Sequence, residues 1–174
     1  PQGYAYKPVG YQKHLIDKLN TPSGKLEFVS PYLKKLGLPE IPEYLPPDYL
    51  AKADDNYPFI LTTGARKSLL YHSRHQNIPR FRNVHPEAEM EIHPADASDL
   101  GIEDGEAVKV ISETGTLIIR AAVKKSVELR QGVVEIYHGW EDWRGNFLTC
   151  DTINDPISGF PLLKGVPVRI EKIE

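Results

Sequence analysis

The stretch AEMEIHPADASDLGIEDGEAVKVISETGTLIIRAAV, residues 88–123, decides the fold. It opens by alternating, with Met90 and Ile92 on one face and Glu89 and Glu91 on the other, which predicts a strand. His93-Pro94 stops that strand, and PADASDLGI predicts a short helix ended by Gly101. Asp96 and Asp99 are expected in its first turn, where negative charge suits the helix dipole. The rest reads as a hairpin: a strand over Ala107–Ser112, a tight Glu113-Thr114-Gly115 turn, and a strand over Thr116–Val123. Working outward, YPFILTTG (57–64), GVVEIYHGW (132–140) and VPVRIEKI (166–173) predict three further strands. Short strands at intervals of roughly 8 to 15 residues, with one short helix among them, favour a closed β-barrel over a sheet of βαβ units. The expected class is mainly β with short helices.

Residues 1–53 read differently, rich in Pro, Tyr and Lys and weakly periodic. TPSGK (21–25) predicts a turn and LEFVS (26–30) a short strand. Ser30 before Pro31 predicts a capped short helix, PYLKKLG, ended by Gly37. LPEIPEYLPPD (38–48) is punctuated by proline and predicts an irregular connector. The chain therefore divides into an extended N-terminal arm, 1–53, and a barrel, 54–174.

Bulk properties exclude several classes. A net charge of −3 in 174 residues argues against a general nucleic-acid binder. The single cysteine, Cys150, excludes an internal disulfide and any cysteine-pair zinc site. No apolar run approaches the roughly 18 residues of a membrane-spanning helix. The first residue is Pro1 and the only methionine is Met90, so a piece of something longer is expected.

Against this acidic balance, GARKSLLYHSRHQNIPRFRNVH (64–85) holds five Lys/Arg and three His, and no acid occurs from Asn56 to Pro86. A glycine-bearing turn behind a strand lets backbone N–H groups approach an anion closely. Arg66, Lys67 and Arg74 add charge, and arginine can bind phosphate through two parallel bonds. Ser68, Tyr71, His72, Ser73 and Gln76 supply neutral donors and acceptors. The plainer alternative is a solvated loop with incidental charge. His72 and His75 are three apart, but no cysteine or second histidine pair stands nearby, so no metal site is expected. Arg80, Arg82 and His85 are expected at the surface or in contacts between domains.

Four stretches together carry a resemblance: LTTGARKSLLYHSRHQ, EIHPADASDLGIEDGEAVKVISETG, VVEIYHGW with Asn146 six residues later in GNFLT, and DPISGFPLLKGVPVRIEK. Residues 57–174 resemble the C-terminal domain of the molybdopterin-dinucleotide oxidoreductases, the dimethyl-sulfoxide-reductase superfamily. TPSGKLEFV (21–29) resembles the segment that precedes that domain. The resemblance implies a double-psi β-barrel (aspartate-decarboxylase-like) packed over the pterin ends of two molybdopterin guanine dinucleotides. It implies cofactor contacts from Thr63, Gly64, Arg66, Lys67, Ser68, Tyr71, His72, Ser73, Arg74 and Gln76 in the basic loop, from His138, Trp140 and Asn146, and from Lys164. An amide such as that of Asn146 suits a pterin edge because it donates and accepts in one plane. The chain departs from the family in carrying one residue more between Gly64 and His72 than is usual.

By the same resemblance, molybdenum or tungsten takes its protein ligand from an earlier domain, and a [4Fe-4S] cluster belongs to the missing N-terminal part. This chain is then expected to hold no catalytic residue and to be inactive alone, and Cys150 to be an ordinary buried thiol. Implied partners are the preceding domains of the same polypeptide and an iron–sulfur electron-transfer subunit, with neither nucleic acid nor membrane insertion. The compartment stays open between cytoplasm and periplasm. Two alternatives remain: a free-standing small subunit, as in formylmethanofuran dehydrogenases, and a double-psi adaptor module without cofactor.

Overall fold

The computed structural model describes residues 10–44, 54–123 and 128–173. The chain divides into two units, Pro1–Leu45 and Pro46–Glu174. In the first unit, α1 spans Lys13–Ile16 and α2 spans Pro31–Lys35. The expected cap of α2 is present: the Ser30 hydroxyl accepts from the Leu33 N–H at 3.3 Å, and Pro31 takes the first turn, where a missing N–H costs nothing. Gly37, at φ +74°, follows the helix. The strand expected at LEFVS does not form, and Leu26 and Phe28 are exposed. A lone strand has no ladder to satisfy its backbone, and the described residues of this unit supply no second one. The connector is irregular over 38–44, while its end at 45–48 and the expected boundary near residue 53 lie outside the described residues.

The second unit holds six strands: β1 Phe59–Thr62, β2 Glu89–Ile92, β3 Ala107–Ile111, β4 Thr116–Ala122, β5 Val133–Ile136 and β6 Lys164–Lys172. They close in the order β1-β5-β2-β4-β3-β6. β1 pairs β5 and β2 pairs β4 in parallel, and the other ladders are antiparallel. This is the double-psi barrel. Period-2 alternation builds its core: Leu61, Met90, Ile92, Val108, Val110, Ile119, Val134, Ile136 and Val168 all point inward and are fully buried. Closure leaves no open sheet edge.

Two short helices flank the barrel, α3 Pro79–Arg82 and α4 Pro94–Asp99. The His93 ring caps α4 by accepting from the Ala95 N–H at 3.1 Å. Asp96 lies in the first turn as expected and accepts the Gly132 N–H at 2.7 Å, tying the helix to the start of β5. Asp99 instead closes the helix, because α4 is only six residues long.

Strand direction fixes where loops gather. β1 and β5 are parallel and in register (Thr62 opposite Glu135), so both finish at the same end of the barrel. β6 runs against β1 and starts at that end. β5 is shorter than expected: its ladder with β2 begins at Met90–Ile136, and beyond Ile136 no neighbour continues it. Residues 137–140 are thereby released from the sheet. β6 in turn begins two residues earlier than expected, at Lys164. The β1–β6 register slips between Leu61 and Thr62, skipping Gly165, whose φ of +81° is the left-handed conformation such a bulge requires. The slip sets Lys164 opposite Thr62.

Candidate functional site

Thr63, the residue after β1, is almost fully buried (1% exposed) and joins three distant segments. Its N–H and its hydroxyl both donate to the Leu163 carbonyl, at 2.9 and 2.8 Å. Its own carbonyl accepts from His138 Nδ1 at 2.8 Å. Its methyl lies against Gly145, where an added Cβ would approach it to 3.3 Å. The segments that carry Lys164, His138 and Asn146 therefore meet at the root of the basic loop. Lys164 leans over Gly64 so closely that a Cβ there would come within 2.6 Å of its Cε, which only glycine allows without moving the lysine. Nδ1 of His138 is spent on this inward bond, which leaves Nε2 for other partners.

The loop itself is held in an uncommon shape. Leu69, Tyr71 and His72 take positive φ angles of 72°, 44° and 62°, which side chains rarely adopt and which persist where surroundings enforce them. Leu70 is buried in the barrel core and pins the middle of the loop. The His75 ring donates to the Leu69 carbonyl at 2.7 Å, and the Gln76 amide donates to the Gly139 carbonyl. Gly139, at φ +98°, lets the loop pass: a Cβ there would meet the His72 carbonyl carbon at 2.9 Å.

The outward side presents cations and rings. The guanidinium groups of Arg66 and Arg74 lie 5.6 and 5.2 Å from the centroid of the Tyr71 ring. Among the described residues no carboxylate pairs with either arginine. The rings of His72 and His138 are 4.2 Å apart. Partial burial first, and then His138, Arg66 and Arg74, hold the His72 pKa below the ordinary histidine value, so its ring stays neutral. Two open clefts run along the loop. One, of about 400 Å³, is lined by Ser73, Gln76, Asn77, Gly139, Trp140 and Glu141. The other, of about 350 Å³, is lined by Arg66, Lys67, Ser68, Leu69, Tyr71 and His75. A more enclosed and apolar cavity of about 270 Å³ lies elsewhere, among Tyr57, Ser112, Leu148, Cys150, Leu162 and Val166, and contains none of the residues named from the sequence as cofactor contacts.

Most of the residues named from the sequence thus gather at one end of the barrel: Thr63, Gly64, Arg66, Tyr71, His72, Ser73, Arg74, Gln76, His138 and Lys164. Asn146 is exposed on a 3-10 turn, Gly145–Phe147, beside Thr63. Trp140 is buried in the core, with the Arg82 guanidinium 5.2 Å from its ring centroid and its edge on the first cleft. Lys67 turns away from the arginines toward β2, where its ammonium lies 3.3 Å from Glu91 and 3.5 Å from Glu89. Ser68 is exposed on the second cleft. Cys150 is half-buried rather than buried, because the loop that carries it runs over the surface; it bonds the Thr152 hydroxyl at 2.9 Å, which lowers its thiol pKa. Sequence reasoning missed Gly139 and Gly145, whose parts depend on close approach across the fold, and Tyr137, whose ring centroid lies 4.3 Å from the Lys67 ammonium. No group of three or more His, Cys, Asp or Glu placed to hold a metal occurs among the described residues.

Comparison with known proteins places this geometry. A family model described as a molydopterin dinucleotide binding domain matches residues 59–167. The F420-dependent formate dehydrogenase subunit alpha of Methanocaldococcus jannaschii is 37% identical over 123 residues, covering 69% of this chain and 18% of that protein. A probable oxidoreductase of Bacillus subtilis is 32% identical over 161 residues, covering 90% and 22%. The structure of acetylene hydratase from Pelobacter acetylenicus superposes with a TM-score of 0.73 at 26% identity, over 90% of this chain and 25% of that one. The chain spans about a quarter or less of each of these proteins.

Proposed function

This chain belongs to the family of molydopterin dinucleotide binding domains, and we propose on that premise that it is the C-terminal, cofactor-holding barrel of a larger molybdenum- or tungsten-dependent oxidoreductase. The observation that carries the reading is the convergence at Thr63 of the basic loop, the His138 segment and Lys164. They form a rim that is cationic, rich in hydrogen-bonding groups and open along two clefts. Such a donor set fits a ligand that joins an anionic pyrophosphate to a polar, planar ring system.

Arg66, Arg74 and Lys164 are the groups for phosphate, the arginines through paired N–H donors and the lysine as a point charge. His72, His138, Ser73, Gln76 and Asn146 are the groups for pterin edges. His72, whose pKa is held down, suits this as a ring that can donate from one nitrogen and accept at the other, and His138 offers Nε2, its Nδ1 being bonded to Thr63. The metal-bearing cofactor supplies the redox chemistry when bound. This chain binds it, orients it and excludes water from one side. The protein ligand to the metal, the [4Fe-4S] cluster and the contact with an iron–sulfur subunit belong to other parts of the longer protein, so residues 54–174 alone are predicted to be inactive. The relatives named above include a dehydrogenase and a hydratase, which suits a shared cofactor-holding part better than a substrate-reading one.

The test is the pterin dinucleotide content of the purified full-length protein. Each lost charge-assisted bond is worth about 1.5 to 3 kcal/mol. Arg66→Ala with Arg74→Ala should therefore lower cofactor content at least about ten-fold. Lys109→Ala, on β3 away from the rim, should leave it unchanged. Equal content in wild type and both variants would remove the assignment.

A further inference from the structure

Glu89 and Glu91 lie two apart on β2 and share a face, and Glu135 stands directly opposite Glu91 on antiparallel β5. Like charges opposed across a ladder repel, and Glu91 is only 8% exposed, so water screens little of this. Burial and Glu91 together raise the Glu135 pKa, and burial with these carboxylates pushes the Tyr137 phenol up to about 12. Two cations act on this patch: Lys164 on Glu135, and Lys67, from the basic loop, which pairs with the β2 carboxylates. The Lys67 side chain is 13% exposed, with the ammonium 3.3 Å from Glu91 Oε1, 3.5 Å from Glu89 Oε2 and 4.3 Å from the Tyr137 ring centroid. Arg66 precedes Lys67 in the chain and His138 follows Tyr137, so the Lys67 ammonium ties the roots of both rim segments to β2. The far end of the loop has its own ties, through His75 and Gln76, and the left-handed residues between need restraint on both sides.

We propose that Lys67 is a positioning residue rather than a ligand contact: clamped by Glu91 and Glu89, it sets the loop so that Arg66 and His138 face a bound pterin dinucleotide together. The inference rests on the function proposed above and deepens it. A lysine that touched phosphate directly would act independently of Glu91. A clamp makes the two act as a unit, and residues in one ion pair show non-additive effects.

The experiment measures the rate of pterin dinucleotide loss from the full-length holoenzyme on dilution. It compares wild type, Lys67→Met, Lys67→Arg, Glu91→Gln, the Lys67→Met/Glu91→Gln double variant and Arg66→Ala. Glu91→Gln preserves shape at the buried position, and Lys67→Arg preserves charge. Lys67→Met and Glu91→Gln should each speed loss about ten-fold, the double variant should be no worse than either single one, and Lys67→Arg should retain cofactor like wild type. Faster loss from Lys67→Met with none from Glu91→Gln, or additive effects in the double variant, would overturn the clamp. So would loss unchanged in both single variants while Arg66→Ala still speeds it. If Arg66→Ala also retains cofactor like wild type, the proposed function itself falls, and the clamp with it.

Discussion

At the scale of single residues, the loop depends on two positions where chemistry and backbone meet. Gly139 has a φ of +98° and no space for a Cβ, with the His72 carbonyl carbon at 2.9 Å and the Ser73 nitrogen at 3.0 Å. Both neighbours are backbone, so they cannot rotate away. Gly139→Ala should cost about 1 to 3 kcal/mol, read as a lower midpoint in urea unfolding. An unchanged midpoint would mean the loop passes farther from Gly139. His72 offers a pH-dependent test. Its folded pKa lies below the unfolded value of 6.5, so the unfolded chain binds the proton more readily. Stability is therefore full above that value and falls as pH drops through it toward the depressed folded one. In a proton NMR titration His72 should titrate below an ordinary histidine, and His138→Ala should move it up, because it removes part of the cover over the ring and an electrostatic neighbour that disfavours its protonated form. A His72 that titrates at the ordinary value contradicts the close approach of the two rings.

Among elements, the α4 to β5 contact shows how one side chain fixes a register. Asp96 accepts the Gly132 N–H directly before the first residue of β5. Asp96→Ala leaves that donor without its acceptor and should cost about 1 to 3 kcal/mol in urea unfolding, while Asp96→Asn, which keeps an acceptor oxygen, should cost less. The strands themselves were legible in the sequence, because two-residue alternation is a local signal: Met90 and Ile92 read as one face, and both point inward. Their ends were not legible. β5 stops at Ile136 because its neighbour β2 gives no further rung, and β6 starts at Lys164 because a bulge at Gly165 pairs it with Thr62. Neither fact is written near the residue it affects. LEFVS reads as a strand by composition alone and forms none, since a strand needs a partner.

Across the whole molecule, the site is a product of topology. Thr63 bonds His138 and Leu163, which lie 75 and 100 residues away along the chain. Parallel β1 and β5 end together and β6 begins beside them, so segments carrying separate motifs reach one rim. The basic loop and the residues of each motif were visible in the sequence, through charge and resemblance. Lys67 could not be told from its cationic neighbours there, because the carboxylates that claim it sit on another strand. The measurement that tests the central claim most directly is hydrogen exchange of the full-length protein with and without its pterin dinucleotide. Binding is predicted to slow exchange in residues 64–76 and 137–147 and around Lys164, with α4 at the opposite end unchanged. Unaltered exchange in those segments, or protection centred on α4, would contradict a cofactor site at this rim.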